Sequence, residues 1–353
     1  MKFSIGTNIK EGPWGGGNLF AINLKNHLES NGHTIINHLL DDDIDIILIT
    51  EPRRTSESSA FTHIEVKRYL TYVNSKTIVF HRINECDERK GTNFVNKYLI
   101  QANKIADYTI FVSTWLKNLY EDQEITKNNN KVILAGADSQ IFNRDELIQW
   151  NPKNKLKIVT HHWGANWKKG FDIYSKLDNL LDSEEWSNKF EFTYIGNLPK
   201  NFAFRNVKVV APLSGNELAS EIKKNNVYIT GSLNEPSGNH HIEGAQCGLP
   251  LMYVDSGGVT EYCKDFGLSI TVDNLEVKIL EIINEYDEYF NKMVDYPHSS
   301  FQMCCEYEAL FLEAIQDKEI YINRYLHNES SILFKFIFKI YRGIAKKLKN
   351  NIK

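Results

Sequence analysis

Short apolar runs recur along the chain and alternate with segments in which apolar residues repeat every three or four positions. The runs in the first half cover residues 2–6, 34–37, 46–49, 77–80 and 108–112. Those in the second half cover residues 156–160, 190–195, 208–211, 227–230 and 249–254. Runs this short and rich in β-branched or aromatic residues predict buried parallel strands, and the segments between them predict helices. This alternation predicts an α/β fold with mostly parallel sheets.

A polar stretch with Asn and Pro separates the two series of strands and predicts a linker. The 353 residues suffice for two domains of ordinary size. We predict an N-terminal domain over residues 1–145, a linker over 146–155, a C-terminal domain over 156–315 and a helical tail over 316–353.

The composition of the chain argues against several functional classes of protein. The formal net charge of −4 argues against a nucleic-acid-binding protein. The five cysteines form no C-x-x-C pair, which argues against a zinc module and suits a reducing compartment. We find no signal-peptide pattern and no apolar run of about 18 residues, so we expect a cytoplasmic protein without a membrane span.

The loop after residues 227–230 carries the strongest candidate chemistry. Glu235 and Glu243 are separated by seven residues, and Gly238 lies between them near a predicted helix start. Glycine lets a ligand approach the backbone, and the free N–H groups of a helix N-terminus suit a phosphate. Carboxylates accept hydrogen bonds from hydroxyls, so a sugar near one glutamate and a ribose near the other fit the pattern. Taken alone, a capping glutamate and a solvated one would also fit.

The surrounding motif, E-P-S-G-N-H-H-I-E-G-A-Q-C-G-L-P followed by D-S-G-G-V-T-E, resembles the retaining glycosyltransferases of the GT-B fold, family 4. The resemblance covers roughly residues 1 to 320. It implies two Rossmann-like domains facing across a cleft, with C-terminal helices, and a nucleotide-diphosphate sugar as donor, without a cofactor or metal. It implies that Glu235 is catalytic and contacts the sugar and that Glu243 contacts the ribose. The donor would also meet Gly238, Asn239 and His240.

A glycine triplet between the first strand and the first helix is a second candidate site. Gly-rich loops at helix starts bind phosphates or substrates, although a plain flexible turn has the same composition. The triplet lacks the Lys-Ser/Thr of a Walker loop. The resemblance places Gly16 and Gly17 at the donor phosphate.

A dense polar cluster, H-R-I-N-E-C-D-E-R-K-G, follows the strand at residues 77–80. Ligands bind outside the carboxyl ends of strands in open α/β sheets. We predict that His81 and Arg82 are catalytic and supply positive charge or a proton to a developing phosphate. Asn84 and Glu85 would hold acceptor hydroxyls. A salt-bridged surface loop is the alternative, and it fits residues 87–90 better.

The resemblance assigns Lys169, in the segment H-H-W-G-A-N-W-K-K-G, to catalysis as a point charge for the leaving diphosphate. The family usually has an arginine five or six residues earlier, where this chain has Trp163 and Gly164. His161, His162 or Arg82 are candidates to replace that charge.

The two charged clusters near the ends of the chain have different interpretations. The aspartates at 41, 42, 43 and 45 precede a strand, whereas metal-binding Asp-x-Asp motifs follow one, so we predict a solvated turn and no metal site. Over residues 331–353, basic residues lie opposite a Leu/Ile stripe, which predicts an amphipathic helix on an anionic membrane surface or, alternatively, a helix docked on the protein. The basic residues are Lys335, Lys339, Arg342, Lys346, Lys349 and Lys353, and the stripe is Leu333, Ile337, Ile340, Ile344 and Leu348.

The resemblance, together with these residues, implies a retaining, metal-independent glycosyltransferase that moves a sugar from a nucleotide-diphosphate sugar to a glycan or lipid-linked acceptor. Surface polysaccharide or lipopolysaccharide synthesis is the expected setting, at the inner face of the cell membrane. Two alternatives remain open: another GT-B enzyme, such as a sugar phosphorylase or nucleotide-sugar epimerase, and a non-catalytic nucleotide-sugar-binding subunit.

Overall fold

The computed structural model describes residues 1–10, 15–125, 129–316 and 332–350. It contains two parallel six-stranded sheets, which confirms the predicted α/β fold with two Rossmann-like domains. The first sheet has the order β2-β1-β3-β4-β5-β6, with β1 Lys2–Ile5, β2 Thr34–Ile36, β3 Ile46–Ile49, β4 Ile78–Ile83, β5 Tyr108–Phe111 and β6 Asn130–Val132. The second has the order β12-β11-β10-β7-β8-β9, with β7 Leu156–His162, β8 Phe190–Gly196, β9 Lys208–Val210, β10 Val227–Thr230, β11 Leu251–Val254 and β12 Gly267–Ile270.

The helices cover both faces of each sheet. Those that follow the strands of the first sheet are α1 Gly16–Ser30, α2 His63–Tyr72, α3 Asp87–Lys90, α4 Val95–Asn103 and α5 Thr114–Asp122. Those of the second half are α6 Phe171–Leu180, α7 Glu184–Ser187, α8 Gly215–Lys223, α9 Asn239–Gln246, α10 Val259–Cys263, α11 Leu275–Asn284 and α12 Tyr286–Lys292. Two further helices, α13 Ser300–Gln316 and α14 Ile332–Asn350, follow, and 3-10 turns cover Trp167–Lys169 and Met293–Asp295.

Two strands are longer than the sequence pattern predicts. Strand β4 continues through His81 and Arg82, because β3 and β5 pair with these residues. Strand β7 likewise continues through His161 and His162, which pair with β8. Polar residues that we placed beyond the strand ends therefore lie within the sheets, and their side chains alternate between faces.

Helix α13 crosses from the second domain to pack on the first. Phe311 lies 5.3 Å from Phe3 and 4.8 Å from Phe80, measured between ring centroids. The segment that leads into α13 passes close to Gly136, where a Cβ atom would lie 2.1 Å from the backbone of Ser299. The helix, which falls within the predicted 156–315 domain, thus completes the core of the N-terminal domain.

The G-G-V-T-E turn joins the two domains. The Glu261 carboxylate accepts hydrogen bonds from the backbone N–H groups of Thr114 and Trp115, at 2.9 Å each, and so caps helix α5 of the other domain. The Tyr262 hydroxyl donates to the carbonyl of Val112 at 2.5 Å and accepts from the N–H of Ala135 at 2.9 Å. These contacts position the second domain against the first at one end of the cleft.

Helix α14 docks on the N-terminal domain through its basic residues. Arg342 forms an ion pair with Asp42 at 2.8 Å, and Lys346 forms one with Asp41 at 3.1 Å. Lys2 binds Asp41 and Asp43, at 3.1 and 2.6 Å. The aspartate turn therefore anchors Lys2 and helix α14, while the side chains of Asp42 and Asp43 remain exposed to solvent, as predicted.

Some described side chains of α14 contact the N-terminal domain, and others are exposed. Its described exposed apolar residues are Phe336, Ile337, Ile340, Tyr341 and Ile344. Residues 331 and 351–353 of the predicted helix lie outside the described residues. No described helix is both long and apolar enough to cross a membrane.

Candidate active site

A cavity of about 470 Å³ opens between the carboxyl ends of the two sheets and is lined by residues of both domains. Apart from His81, every residue that we predicted for the site lines this cavity. Those residues are Gly16, Gly17, Arg82, Asn84, Glu85, Lys169, Glu235, Gly238, Asn239, His240 and Glu243.

Glu235 lies between two cations. Its Oε2 atom is 2.5 Å from the ammonium of Lys169, and its Oε1 atom accepts a hydrogen bond from Arg89 Nε at 2.9 Å. Lys169 comes from the 3-10 turn before α6, and Arg89 comes from α3 of the other domain. The predicted catalytic glutamate and lysine thus meet directly, and an arginine reaches them across the cleft.

These cations hold Glu235 in its ionised form. Burial raises the pKa of this carboxyl, but the positive charges of Lys169 and Arg89 outweigh that effect and lower the pKa from 4.5 to about 2. In turn, the charge of Glu235 raises the pKa of the Arg89 guanidinium. Glu235 and Arg89 thus each stabilise the charged form of the other, and Lys169 completes the cluster.

Glu243 lies within helix α9 and belongs to a second polar chain. One carboxylate oxygen is 2.8 Å from His161 Nε2, and His161 Nδ1 is 3.0 Å from the Tyr228 hydroxyl. Because His161 is fixed at both ring nitrogens, it orients the carboxylate. Glu243 also lines the cavity, where its carboxylate can accept hydrogen bonds from hydroxyl groups of a ligand.

Two further histidines lining the cavity are neutral. His162 Nε2 lies 2.7 Å from the Tyr174 hydroxyl, and His240 Nε2 lies 2.8 Å from Thr230 Oγ1. Burial holds the pKa of both imidazoles well below the usual range. His162 is therefore not the replacement for the missing positive charge for which we considered it.

Glycines allow the two halves of the site to approach. Gly238 has φ = 82°, and a Cβ atom there would lie 2.9 Å from Glu235 Cγ. At Gly16, across the cleft, a Cβ atom would lie 2.8 Å from Asn239 Oδ1. The glycine loop of the first domain thus lies directly against the Asn239 side chain, which brings its backbone close to the N-terminus of α9.

His81 is the one predicted residue that lies elsewhere. Its ring is fully buried, its Nδ1 lies 2.9 Å from Asn103 Oδ1, and burial lowers its pKa to about 4. Because neighbouring residues of a strand point to opposite faces, His81 packs against α4 whereas Arg82 reaches the cavity. We therefore remove His81 from the catalytic set.

Arg89 is a candidate site residue that the sequence analysis did not single out. We assigned residues 87–90 to a surface loop, and the spacing of Glu85 and Arg89 is typical of an exposed helical ion pair. Arg89 does bind Glu85, at 3.1 Å, but the same guanidinium also reaches Glu235. The Asp87 carboxylate fixes this segment by accepting from the N–H groups of Val95 and Asn96, at 2.9 and 3.0 Å.

Within the described ranges, no group of three or more His, Cys, Asp or Glu side chains is arranged to hold a metal ion.

No protein-family model and no curated protein sequence matches this chain. Solved structures do match in fold. Anabaena HepE, solved with UDP-glucose, superposes with a TM-score of 0.66 at 12% identity over 89% of this chain and 100% of its own. A sucrose-phosphate synthase from Thermosynechococcus elongatus has a TM-score of 0.60 at 11% identity over 89% of this chain and 99% of its own. A glycosyltransferase from Rickettsia africae has a TM-score of 0.60 at 13% identity over 90% of this chain and 98% of its own.

These similarities concern the fold, since the identities are too low to carry a substrate. The three superpositions each extend over about nine-tenths of this chain. The chain therefore has the GT-B fold of glycosyltransferases, with its candidate site in the cleft between the two domains.

Proposed function

We propose that the protein is a retaining, metal-independent glycosyltransferase that moves a sugar from a nucleotide-diphosphate sugar to a glycan or lipid-linked acceptor. The observation that carries the proposal is the Glu235–Lys169–Arg89 cluster beside the N-terminus of α9, with Glu243 beyond it. The two carboxylates can accept hydrogen bonds from hydroxyl groups, and the amides and cations between them can bind phosphate. This arrangement matches a nucleotide sugar, in which the diphosphate lies between the hydroxyl groups of the sugar and those of the ribose. HepE, of the same fold, was solved with UDP-glucose.

Lys169 and Arg89 would stabilise the leaving nucleoside diphosphate. Breaking the bond between sugar and phosphate places negative charge on the diphosphate, and preorganised cations in a site screened from water stabilise that charge strongly. Arg89 would take the place of the arginine that this chain lacks at positions 163 and 164. Because Arg89 belongs to the first domain, its use requires the two domains to be closed around the donor.

Glu235 would accept hydrogen bonds from sugar hydroxyls rather than attack the sugar. Both of its oxygens already contact cations, which lowers its reactivity as a nucleophile. We therefore favour a front-face path, in which the acceptor hydroxyl attacks on the side that the diphosphate leaves. The charge that develops on the sugar ring strengthens its interaction with the nearby carboxylate.

A transfer assay tests the proposal. The purified protein is first screened for thermal stabilisation by nucleotide sugars, since a ligand that binds only the folded state raises the melting temperature. The stabilising donor is then incubated with candidate acceptors in excess EDTA. We expect a glycoside that retains the anomeric configuration of the donor. Inverted product, or activity lost in EDTA and restored by Mg²⁺ or Mn²⁺, would refute the corresponding part of the proposal.

We also propose that helix α14 places the enzyme on an anionic membrane surface, at the inner face of the cell membrane. Its described apolar residues Ile337, Ile340 and Ile344 are exposed, whereas Arg342 binds the protein. Exposed Lys339 and Lys347 flank the apolar face. A helix with this arrangement can bury its apolar face at the lipid headgroups while its lysines attract the anionic lipids.

Replacing Ile340 and Ile344 by aspartate should release the protein from vesicles that contain anionic lipid, because each change removes buried apolar area and adds repulsion. Vesicle co-sedimentation measures the bound fraction. Arg342→Gln is the contrasting variant, since it weakens docking of the helix on the protein but leaves the apolar face intact. Unchanged vesicle binding by the double aspartate variant would contradict membrane attachment through α14.

A further inference from the structure

Arg82 is a buried cation without a counter-ion. Arg82 is only 5% exposed, and its guanidinium carbon lies 4.0 Å from the ring centroid of Phe20. Its Nε atom has no hydrogen-bond partner. Within the described part of the chain it forms no ion pair with a carboxylate. The hydroxyl of Tyr307 also lies close to Arg82, and burial raises the pKa of this hydroxyl to about 12 although the charge of Arg82 opposes this.

An isolated buried charge is costly, and an aromatic ring compensates only part of that cost. The other arginine and lysine side chains that line the cavity are paired, since Lys169 and Arg89 both bind Glu235. Arg82 therefore marks the position where the site lacks a negative charge, and a ligand is the natural source of that charge.

The position of Arg82 indicates which ligand this is. A smaller cavity of about 60 Å³ lies at the carboxyl ends of β3 and β4, and all of its walls belong to the first domain. Arg82, Asn84 and Glu85 line both this cavity and the large one. The groups that suit a nucleotide sugar, such as Lys169 and Glu243, lie on the second domain.

The carboxylates of the smaller cavity are already neutralised. Glu51 accepts two hydrogen bonds from Arg53, at 2.5 and 2.7 Å. Glu85 pairs with Arg89 and with Lys90, at 3.1 and 3.0 Å. An anion that enters this cavity therefore meets an unpaired guanidinium and no unpaired carboxylate.

We propose that the acceptor carries an oxyanion, a phosphate or a carboxylate, which the smaller cavity receives and Arg82 binds. This inference rests on the proposed function and specifies the class of its acceptor. The planar guanidinium can donate two parallel hydrogen bonds to an oxyanion, which fixes orientation as well as charge. Asn84, at the junction of the two cavities, can then orient the acceptor towards the donor.

Binding experiments can separate this site from the donor site. Wild-type protein saturated with UDP, the nucleotide of the HepE complex, is titrated with inorganic phosphate, glucose 6-phosphate, glucuronate and glucose. We expect the anions to bind while UDP is bound and glucose to bind at least tenfold more weakly. A preference for glucose 6-phosphate over glucuronate, or the reverse, identifies the oxyanion. Anion binding that displaces UDP, or no anion binding at all, would overturn the proposal.

Arg82→Met is the decisive variant, because methionine fills the site beside Phe20 without charge. We expect at least tenfold weaker binding of the preferred anion and unchanged affinity for UDP. Without ligand, its melting temperature should equal or exceed that of the wild type, since an uncompensated charge is removed. A merely structural arginine would instead lower the melting temperature and leave anion binding unchanged. Arg205→Gln, which removes an exposed arginine paired with Asp182, controls for net charge.

Titrations without nucleotide keep the two proposals distinguishable. If neither UDP nor any other nucleoside diphosphate raises the melting temperature, the proposed donor is wrong. Anion binding that is present in the wild type and lost in Arg82→Met would still establish the anion site.

Discussion

Glu235→Gln should lower kcat by about a hundredfold or more, with little change in the donor KM. The carboxylate lies against Lys169 and Arg89, at the position proposed for the sugar and the leaving group. Its charge matters most when the sugar ring becomes positive, and the loss of an interaction made mainly in the transition state lowers kcat and kcat/KM together. The expected magnitude is that of one strong charge-stabilising contact.

Glu243→Gln provides the comparison, because this residue is proposed to contact the ribose, away from the bond that breaks. Its loss should mainly raise the donor KM, by about tenfold, which corresponds to ~1.4 kcal/mol. Uniform binding that is lost equally in the ground state and transition state leaves kcat unchanged.

Steady-state kinetics on both variants test these two assignments, after a comparison of melting temperatures has shown that both variants are folded. Glu276→Gln is a suitable control, since that glutamate pairs with Lys176 at the surface. Equal losses of kcat in both variants, with unchanged KM, would contradict the assignment of the sugar to one glutamate and the ribose to the other.

Lys169→Gln should lower kcat by roughly a hundredfold to a thousandfold, which is the effect of removing one preorganised charge from a developing anion. It should also weaken binding of the nucleoside diphosphate product, because the β-phosphate loses its point charge. Binding of the nucleoside monophosphate should change little. Among the described residues, the variant leaves Glu235 with Arg89 as its one ionic partner, so we also expect a lower melting temperature.

Calorimetric titration with the diphosphate and the monophosphate separates these effects from a general loss of structure. Lys176→Gln, which removes a surface lysine from helix α6, controls for the change in net charge. Equal losses of affinity for both nucleotides in Lys169→Gln would indicate damage to the whole site and would refute a specific role at the β-phosphate.

The architecture followed from the sequence because it depends on local patterns. Apolar runs that alternate with helical periodicity require parallel strands covered by helices, and the structure confirms this in both sheets. The same locality explains why the loop from Glu235 to Glu243 was recognised. Both glutamates, Gly238 and the start of α9 lie within one continuous segment, so their relative positions depend mainly on the local backbone.

The identity of the groups around Glu235 depended on tertiary structure. Arg89 is separated from Glu235 by 146 residues and comes from the other domain. Nothing near Arg89 in the sequence distinguishes it from a surface arginine, because the ion pair with its sequence neighbour Glu85 also forms in the structure. Only the closed arrangement of the domains brings the guanidinium to a second carboxylate.

The face on which a residue lies was also decided by tertiary structure. Whether His81 or Arg82 reaches the cavity depends on where β4 ends, and the neighbouring strands set that end by pairing as far as Ile83. The aspartate turn likewise acquired its role from a distant element, since its partner Arg342 lies in the last helix. The sequence by itself determined the elements and the local loop of the site, because short-range sterics and periodicity specify them. Tertiary structure decided the charge partners, because an ion pair depends on distance in space and not on separation along the chain.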